Sequence, residues 1–388
     1  MSKPRVLFPF TEAGLGHIIP LRSIADEFER LYGDKVEVVR SNFFTDSGNK
    51  NLEIFERRMK SNVEIQNRHT VFGFWGTLNM EFWRIHLGTW ATMKFLKLGS
   101  RKPGYKYMDE LAPDLVVSTH WATNYYAIKC NRKPLTVMYC PDVEINPLFA
   151  YSADIVMVST PTGYAHARKK YGRRFNDKNL AQVPFLIRDE AFKVSDDKRA
   201  LRRELGLDED KFTVVLAEGG YGIGKMESIC KIILERDLPV NLVPVCGKNT
   251  ELYNKMQTIK SKGNTTFRPL GLVDNMLEVV ASADVFCGKS GANTCAEACF
   301  FGLPQIITKY ATTIERYIGR YYLNTVGNAL KIFKPEKVAD KIEEFLKSPE
   351  LMEPYQNAAK AQRSNYGATE CANRVFDLLC TRYPELSY

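Results

Sequence analysis

The sequence lacks the cysteine spacings that hold zinc or build a disulfide framework. Its nine cysteines include no C-x-x-C pair. Cys295 and Cys299 are four residues apart on a predicted helix, but no second ligand pair completes a zinc site. These two, like Cys246 and Cys287, stand in or beside apolar runs. We therefore expect buried free thiols in a reducing cytoplasm.

Long apolar runs and targeting segments are also missing. No uncharged apolar stretch reaches the roughly 18 residues that a membrane span needs. The apolar run near the N-terminus is too short for a signal peptide, because it turns at once into a Gly-rich loop. We find no repeat, no low-complexity segment and no helix-turn-helix, RRM or zinc-finger pattern. These absences predict a protein that neither spans a membrane nor binds nucleic acid.

What the chain does have is a globular composition with excess positive charge. Its 388 residues predict two domains of ordinary size. Hydrophobic residues make up 45% and charged residues 26%, which is enough for sizeable cores. The formal net charge of +9 fits an anionic partner such as a nucleotide or a lipid surface.

Short β-branched runs alternate with helical stretches along the whole chain. Predicted strands cover 5–10, 36–40, 114–119, 134–140, 154–159, 212–218, 240–246, 265–271, 284–290 and 304–308. Predicted helices cover 18–32, 225–236, 275–283 and 293–301. Runs that are apolar on both faces and separated by helices are typical of parallel sheets. The sequence therefore predicts an α/β fold of two facing Rossmann-like domains, with the ligand in an interdomain cleft.

The first Gly-rich loop, "TEAGLGHIIP" at 11–20, joins the first strand to the first helix. Gly14 and Gly16 allow a ligand to approach the backbone closely. His17 follows at the helix start, facing the predicted cleft. The alternative is a tight turn whose histidine only caps the helix or packs.

The second loop, "EGGYGIGKM" at 218–226, has the G-x-x-x-x-G-K spacing of a nucleotide-binding P-loop. That motif needs a Ser or Thr next to ligate Mg²⁺. This chain has Met226, whose thioether is a poor ligand for a hard cation. The loop therefore predicts an anion site at the start of the Lys225 helix without a metal. The alternative is a Gly-rich turn with no ligand and a solvated Lys225.

The third loop, "KSGANT" at 289–294, is a small-residue turn that opens a helix. Residues Ser290 to Thr294 offer N–H and hydroxyl donors to a diphosphate. Glu297, one turn further along, can accept both hydroxyls of a ribose. The alternative for Glu297 is an acid that complements the helix dipole.

The order of motifs in 271–307 resembles the UDP-sugar signature of GT-B glycosyltransferases. The stretch reads "GLVDNM", "ADV", "KSGANT", "AE" and "GLP". It is most similar to the MurG-like and monogalactosyl- or glucosyl-diacylglycerol synthase family. "GLGH" near the N-terminus, "PVCGKN" at 244–249 and "VPFLIR" at 183–188 fit the same family.

The resemblance implies inverting transfer of a hexose from a UDP-sugar to a lipid, with no cofactor. We also expect no metal, because Met226 stands where a P-loop has its Mg²⁺ ligand. The resemblance implies an acceptor domain at 1–187, a donor domain at 188–360 and a C-terminal helix, within 361–388, that returns to the first domain. His17 would be the catalytic residue beside the acceptor hydroxyl. The implied substrate-binding residues are Gly14, Gly16, Gly219, Gly220, Gly247, Asn249, Leu272, Val273, Ser290, Gly291, Ala292, Asn293, Thr294, Glu297, Glu315 and Arg316.

Within that set, the resemblance assigns separate roles. Leu272 and Val273 would meet the uracil, Val273 through its backbone. The Ser290–Thr294 turn would hold the diphosphate together with Gly219 and Gly220. Lipid-directed relatives read the sugar with a "PGQE" motif, and this chain has "ATTIERY" there. Glu315 and Arg316 remain, so the sequence leaves the identity of the hexose open.

Residues 57–106 are the predicted acceptor surface. They hold ten Lys/Arg against two Asp/Glu. Aromatic and basic residues together suit an interface with anionic lipid. The alternative is a helical insertion that packs its aromatic side chains inside. The aromatic residues concerned are Phe72, Phe74, Trp75, Phe82, Trp83, Trp90, Phe95 and Tyr105, with Tyr107 directly after the segment.

The leading hypothesis is thus a cytoplasmic glycosyltransferase at the inner face of the cell membrane, with diacylglycerol as its acceptor. Two alternatives are a UDP-sugar 2-epimerase, which uses the same fold, and a non-catalytic UDP-sugar sensor. The general base is also open: Asp142, Glu144 or Glu12 would replace His17 if that residue is structural.

Overall fold

The computed structural model describes residues 3–12, 15–68, 94, 99–150, 153–219, 224–261 and 263–387. The chain divides into two compact units. The N-terminal unit comprises Met1–Arg188 and Asn365–Tyr388, and the C-terminal unit comprises Asp189–Ser364. Among the described residues, no helix is both long and apolar enough to cross a membrane.

Strands and helices alternate through both units. The strands are β1 (Arg5–Phe10), β2 (Glu37–Asn42), β3 (Leu115–Ser118), β4 (Leu135–Cys140), β5 (Ile155–Val158), β6 (Leu180–Gln182), β7 (Phe212–Ala217), β8 (Val240–Val245), β9 (Thr266–Phe267), β10 (Val285–Lys289), β11 (Gln305–Lys309) and β12 (Ala329–Lys331). The helices are α1 (Leu15–Tyr32), α2 (Lys50–Arg68), α3 (Arg101–Leu111), α4 (Trp121–Lys129), α5 (Pro161–Tyr171), α6 (Lys198–Glu204), α7 (Met226–Glu235), α8 (Thr250–Gln257), α9 (Met276–Ala281), α10 (Ala292–Phe300), α11 (Thr313–Tyr321), α12 (Pro335–Lys347), α13 (Glu353–Lys360) and α14 (Thr369–Cys380). Short 3₁₀ turns span Asp189–Lys193, Pro349–Met352, Arg363–Asn365 and Pro384–Ser387, and a π turn spans Tyr322–Val326.

The N-terminal unit is a parallel sheet in the order β2-β1-β3-β4-β5-β6. Side chains of β1 alternate between its faces: Val6 and Phe8 pack with α1, and Leu7 lies in the core on the other side. Helix α14 also belongs to this unit, and its Phe376 stacks on Tyr32 of α1 with ring centroids 3.8 Å apart. The order reverses direction between β1 and β3, so a switch point lies at their carboxyl ends.

The C-terminal unit is a second parallel sheet, in the order β12-β11-β10-β7-β8-β9. Along β7, Val214 and Leu216 face one core, and Val215 and Ala217 face the other. The order corresponds to the Rossmann arrangement, in which the first and fourth strands are neighbours. Its switch point lies at the carboxyl ends of β7 and β10.

The predicted α/β class with two parallel sheets is confirmed. Every predicted strand but one lies within two residues of an observed strand. The exception is 265–271, where only Thr266–Phe267 form a strand. Pro269 has no N–H to donate to a ladder, and Leu270 makes only an isolated bridge to Val245. The sequence also missed β6 and β12, which are three-residue strands.

Candidate active site

The first turn of α10 lies at the carboxyl end of β10, beside the switch point of the C-terminal unit. Gly291 precedes the helix in an extended conformation, and no described side chain caps this helix start. Ala292, Asn293 and Thr294 form the first turn and are partly accessible. The N–H groups of an uncapped first turn and the helix dipole favour an anion. The arrangement fits the diphosphate site that the sequence predicts here.

Ser290 and Gly291 make hydrogen bonds within the protein, whereas the prediction was that they contact a diphosphate. The Ser290 side chain is fully buried, and its hydroxyl donates to the Glu315 carbonyl at 2.7 Å. The Gly291 N–H donates to the Lys289 carbonyl at 2.9 Å. The Ser290 hydroxyl is therefore engaged within the protein and does not point to a phosphate.

In the P-loop-like stretch, a carboxylate from the stretch itself accepts hydrogen bonds from the N–H groups at the start of α7. Glu218 is buried and accepts from the N–H groups of Lys225 and Met226 at 3.0 and 3.1 Å. A Cβ on Gly224 would overlap that carboxylate. The Lys225 ammonium donates to the Phe333 carbonyl at 2.6 Å. The start of α7 is therefore not the anion site that the sequence predicts, because Glu218 already occupies it.

Gly219, the next residue, has φ +77°, a conformation that favours glycine. It lies beside the Lys289 side chain, whose Nζ would stand 3.1 Å from a Cβ at this position. Gly219 thus brings the loop after β7 against the end of β10. Gly220 lies outside the described residues.

Glu315 has a different environment from that of a sugar-binding carboxylate. Its Oε1 accepts from Lys289 at 2.6 Å, and its Oε2 accepts from the Ala311 N–H at 2.6 Å. The residue is buried in the first turn of α11. Arg316 beside it is exposed. The predicted role of Glu315 in reading sugar hydroxyls is not supported, because both carboxylate oxygens are engaged within the protein.

The remaining donor-side residues lie around the same edge of the sheet. Glu297 is on α10 and is 2% exposed, whereas Leu272 is 69% exposed. Val273 packs partly against the core between the sheet and α9. Gly247 follows β8 with φ +60°, and the Asn249 side chain caps α8 by accepting from the Leu252 N–H at 3.0 Å.

His17 lies at the switch point of the N-terminal unit. Its Nδ1 is 2.8 Å from the Thr119 carbonyl, and the Thr119 hydroxyl donates to the His17 carbonyl at 2.7 Å. A carbonyl only accepts, so Nδ1 carries the proton and Nε2 of the neutral ring has the lone pair. Burial lowers the pKa of His17, and the hydrogen bond to Thr119 offsets part of that effect. The ring is thus set up as a neutral base.

His120 is a site residue that the sequence analysis missed. Its ring meets that of His17 edge-on, with centroids 4.9 Å apart. Burial, and then the charge that His17 would carry, lower the pKa of His120 well below the usual histidine value. Because two adjacent imidazoles cannot both be charged cheaply, each favours the neutral form of the other. In the sequence, His120 stands two residues after the strand "LVVS", which borders β1.

A buried carboxylate fixes the loop that leads from β1 toward His17. Glu56 of α2 accepts from the Thr11 hydroxyl at 3.0 Å, the Glu12 N–H at 2.9 Å and the Thr45 hydroxyl at 2.7 Å. Gly16 lies in the first turn of α1, where a Cβ would meet nothing within 4 Å. Gly14 lies outside the described residues.

The alternative bases have partners of their own. Glu12 is exposed and pairs with Lys60 at 2.6 Å. Glu144 Oε2 is 3.9 Å from Nδ1 of His166. Asp142 accepts from the Asn146 amide at 3.3 Å. The geometry therefore favours His17, whose Nε2 is the basic atom of a neutral ring at a switch point.

Comparison with known proteins finds a family match in the C-terminal half of the chain. Residues 225–375 match the glycosyltransferase family 28 C-terminal domain. The protein is a glycosyltransferase whose residues 225–375 match this domain.

Two curated relatives extend the likeness of this glycosyltransferase beyond that domain. The monogalactosyldiacylglycerol synthase of Spinacia oleracea is 25% identical over 403 residues, which covers 93% of this chain and 70% of the relative. The processive diacylglycerol beta-glucosyltransferase of Bacillus subtilis is 21% identical over 352 residues, covering 89% of this chain and 87% of the relative.

Solved structures of other proteins share the fold of the glycosyltransferase, although their sequence identity to it is low. Acinetobacter baumannii MurG has a TM-score of 0.58 at 12% identity, covering 97% of this chain and 99% of that one. The S. aureus MnaA–UDP structure has a TM-score of 0.61 at 16% identity, covering 100% and 98%. These likenesses confirm a GT-B-like fold.

Most of the predicted acceptor surface of the glycosyltransferase lies outside the described residues. This holds for Phe72, Phe74, Trp75, Phe82, Trp83, Trp90 and Phe95. Tyr105 and Tyr107 are described, and both pack against the core of the N-terminal unit. Tyr105 donates to the Tyr125 hydroxyl at 3.0 Å. For these two tyrosines, the alternative of inward packing is the observed one.

The predicted burial of the cysteines is confirmed. All nine cysteines are free, and all but Cys380 are buried. Burial raises the pKa of Cys246 to about 11, so its thiol stays protonated and unreactive at neutral pH. In the part of the chain that the structure describes, no group of His, Cys, Asp and Glu is placed to hold a metal ion.

Proposed function

We propose that this glycosyltransferase moves a hexose from a UDP-sugar to the hydroxyl of a lipid, with diacylglycerol as the acceptor and inversion at the sugar. The observation that carries the proposal is the extent of the likeness to relatives named for diacylglycerol glycosylation, which covers 93% and 89% of the chain. It includes the N-terminal unit, where the acceptor would be recognised, and not only the family 28 domain at 225–375.

The donor is assigned to the C-terminal unit. The first turn of α10 binds the diphosphate through its N–H groups. Glu297 accepts the ribose hydroxyls, and the uracil lies against Leu272 and the backbone of Val273. A base over Leu272 would cover apolar surface that is 69% exposed in the unliganded protein, which favours binding.

His17 is assigned as the general base. Its Nε2 takes the proton of the acceptor hydroxyl as that oxygen forms a bond to the sugar C1. The bond from C1 to the β-phosphate oxygen breaks, its electron pair stays on that oxygen, and UDP leaves. Thr119 supports this role because it holds the proton on Nδ1 and thereby keeps Nε2 as the basic atom.

The membrane part of the proposal rests on charge. We place the enzyme in the cytoplasm, bound peripherally to the inner face of the cell membrane. The net charge of +9, with ten Lys/Arg against two Asp/Glu at 57–106, would attract anionic lipid. Neither nucleic acid nor a cofactor has a place in this reaction.

Radiolabelled UDP-glucose, UDP-galactose and UDP-GlcNAc, each incubated with the enzyme and vesicles of diacylglycerol and anionic lipid, test the proposal. We expect label to move into a lipid-soluble hexosyl-diacylglycerol with one of the three donors. A changed sugar that stays attached to UDP would indicate an epimerase instead. UDP-sugar binding without turnover on any lipid would indicate a sensor.

Replacing Glu297 with alanine should lower UDP affinity at least about tenfold, since each charge-assisted hydrogen bond is worth about 1.5–3 kcal/mol. Calorimetry with UDP measures this, and Glu297→Gln repeats it with the side-chain volume kept. Glu336→Ala is the control, because it removes one glutamate from another helix of the same unit. The second turn of α10 holds Glu297, so a dipole role is excluded, and unchanged UDP affinity in the Glu297 variants would make Glu297 a residue of the core.

A further inference from the structure

Lys289 occupies the switch point of the C-terminal unit. It ends β10, directly before the Ser290–Thr294 turn, and β10 pairs with β7. Its side chain lies across Gly219, so a Cβ on that glycine would overlap Lys289 Cε and stand 3.1 Å from Nζ. The Lys289 ammonium is thus held between the loop that follows β7 and the turn that opens α10.

A buried carboxylate fixes the position of this ammonium. Nζ of Lys289 is 2.6 Å from Glu315 Oε1, with the two side chains 18% and 9% exposed. Oε2 of Glu315 accepts from the Ala311 N–H, and the Glu315 carbonyl accepts from the Ser290 hydroxyl at 2.7 Å. The ion pair is therefore tied both to the start of α11 and to the turn assigned to the diphosphate.

A contribution to folding stability does not explain why Lys289 and Glu315 form a buried ion pair. A buried ion pair contributes little net stability, because removing both charges from water costs about as much as their attraction returns. The pair instead holds the Lys289 ammonium, on a side chain that is 18% exposed, at a fixed position of low dielectric beside the turn assigned to the diphosphate. The dipole of α10 alone supplies only about half a unit charge, which is less than a diphosphate carries.

We propose that Lys289 is a catalytic residue that binds the diphosphate of UDP and neutralises the charge that gathers on the β-phosphate as the sugar leaves. Glu315 is its positioning residue. The acceptor oxygen bonds to C1, the bond from C1 to the β-phosphate oxygen breaks with its electron pair on that oxygen, and the acceptor proton goes to His17. Lys289 keeps its proton throughout, and its attraction grows with the leaving charge, which lowers the barrier as well as the Kd for UDP.

The inference rests on the proposed function, and a comparison of UDP with uridine separates the two. In Lys289→Met we expect UDP affinity to fall at least about tenfold, while uridine affinity stays within about twofold, because uridine has no phosphate for the ammonium to contact. Lys289→Arg keeps the charge and should recover part of the loss. Calorimetry on the full chain gives both affinities, and uridine binding reports that the site is folded.

The matched control is Lys347→Met. Lys347 pairs with Glu343 at the same 2.6 Å, also in the C-terminal unit, but its side chain is 70% exposed. This variant removes one positive charge from the same unit, and we expect UDP affinity to stay within about twofold because solvent screens exposed charges.

Glu315→Gln tests the positioning role. It should weaken UDP binding less than Lys289→Met does, and adding it to Lys289→Met should cause no further loss, because Glu315 acts through the lysine. If Glu315 were only structural, Glu315→Gln would instead lower uridine and UDP affinity together, both in the wild-type chain and in Lys289→Met.

Three results would overturn the inference. UDP affinity in Lys289→Met within about twofold of wild type would show that the ammonium does not contact the diphosphate. Equal losses for UDP and uridine would make Lys289 a structural residue, and Lys289→Gln repeats the comparison if the methionine variant does not fold. A wild-type chain that binds neither ligand would remove the proposed function and this inference with it.

Discussion

Replacing His17 with alanine is expected to lower kcat by about a hundredfold or more, while UDP affinity stays near the wild-type value. The acceptor hydroxyl must lose its proton as it attacks, and the variant has no imidazole to take it. UDP affinity should be kept because the donor residues belong to the C-terminal unit. Initial rates of hexose transfer to lipid vesicles, with UDP calorimetry alongside, measure both quantities.

His166→Ala is the control for this experiment. His166 lies in the same unit, and its Nδ1 is 3.9 Å from Glu144, so the variant also examines an alternative base. We expect its rate to remain near wild type. A wild-type rate in His17→Ala would make His17 structural, and a comparable loss in His166→Ala would move the base to Glu144.

The pH profile of wild-type kcat/KM should show an acid limb that is set by the lowered pKa of His17. His17 acts as a base only when neutral, so activity falls as the pH drops through its pKa. Burial lowers that pKa from the ordinary value of 6.5, and the acid limb should therefore lie below pH 6.5. The same burial makes the unfolded chain bind protons more readily, so stability also falls below that pH. Circular dichroism at each pH separates the two losses, and a limb above pH 6.5 would contradict the assignment.

The parts of the fold that sequence predicts well are those set by local apolar patterning. Buried strands such as β1 and β10 are continuous apolar runs between turn residues, because both faces of a parallel sheet are covered. The edge strands β6 and β12 are only three residues long, too short to show a pattern. Lys289 and Glu315 are 26 positions apart, so no local spacing links them; the order of β10 and β11 in the sheet brings them together.

His17 and His120 show the same limit within the N-terminal unit. A histidine after a Gly-rich loop suggests a site by its local context, whereas His120 follows an ordinary buried strand. Its ring reaches His17 only because β3 pairs with β1. The switch point is a property of strand order, so residues at its second strand are found once the topology is known.

The predicted anion site at the start of α7 is wrong for a different reason. Its glycines correctly indicate a helix start with N–H groups that need an acceptor. The pattern does not say which acceptor is present. Glu218 stands at the front of the same stretch, and its carboxylate folds back onto the N–H groups of Lys225 and Met226. A spacing rule built on the glycines and the lysine cannot detect that closure.

Replacing Glu218 with alanine is therefore expected to lower the free energy of unfolding by about 4.5 kcal/mol or more, since it removes three hydrogen bonds to a buried carboxylate that are each worth about 1.5–3 kcal/mol. Two of these come from the start of α7, and the third comes from the Thr308 hydroxyl at 3.0 Å. Thr308→Val removes only the third and should cost about 1.5–3 kcal/mol. The urea midpoint of each variant measures the loss.

A phosphate site at the start of α7 would predict a different result for Glu218→Ala. If the start of α7 were the phosphate site, Glu218 would be a carboxylate that competes with the ligand. Glu218→Ala would then change stability little and raise UDP affinity, because two N–H donors and the helix dipole would become available to the diphosphate. We expect the reverse, a less stable protein with UDP affinity no higher than wild type, since we propose the first turn of α10 and Lys289, and not the start of α7, as the diphosphate site.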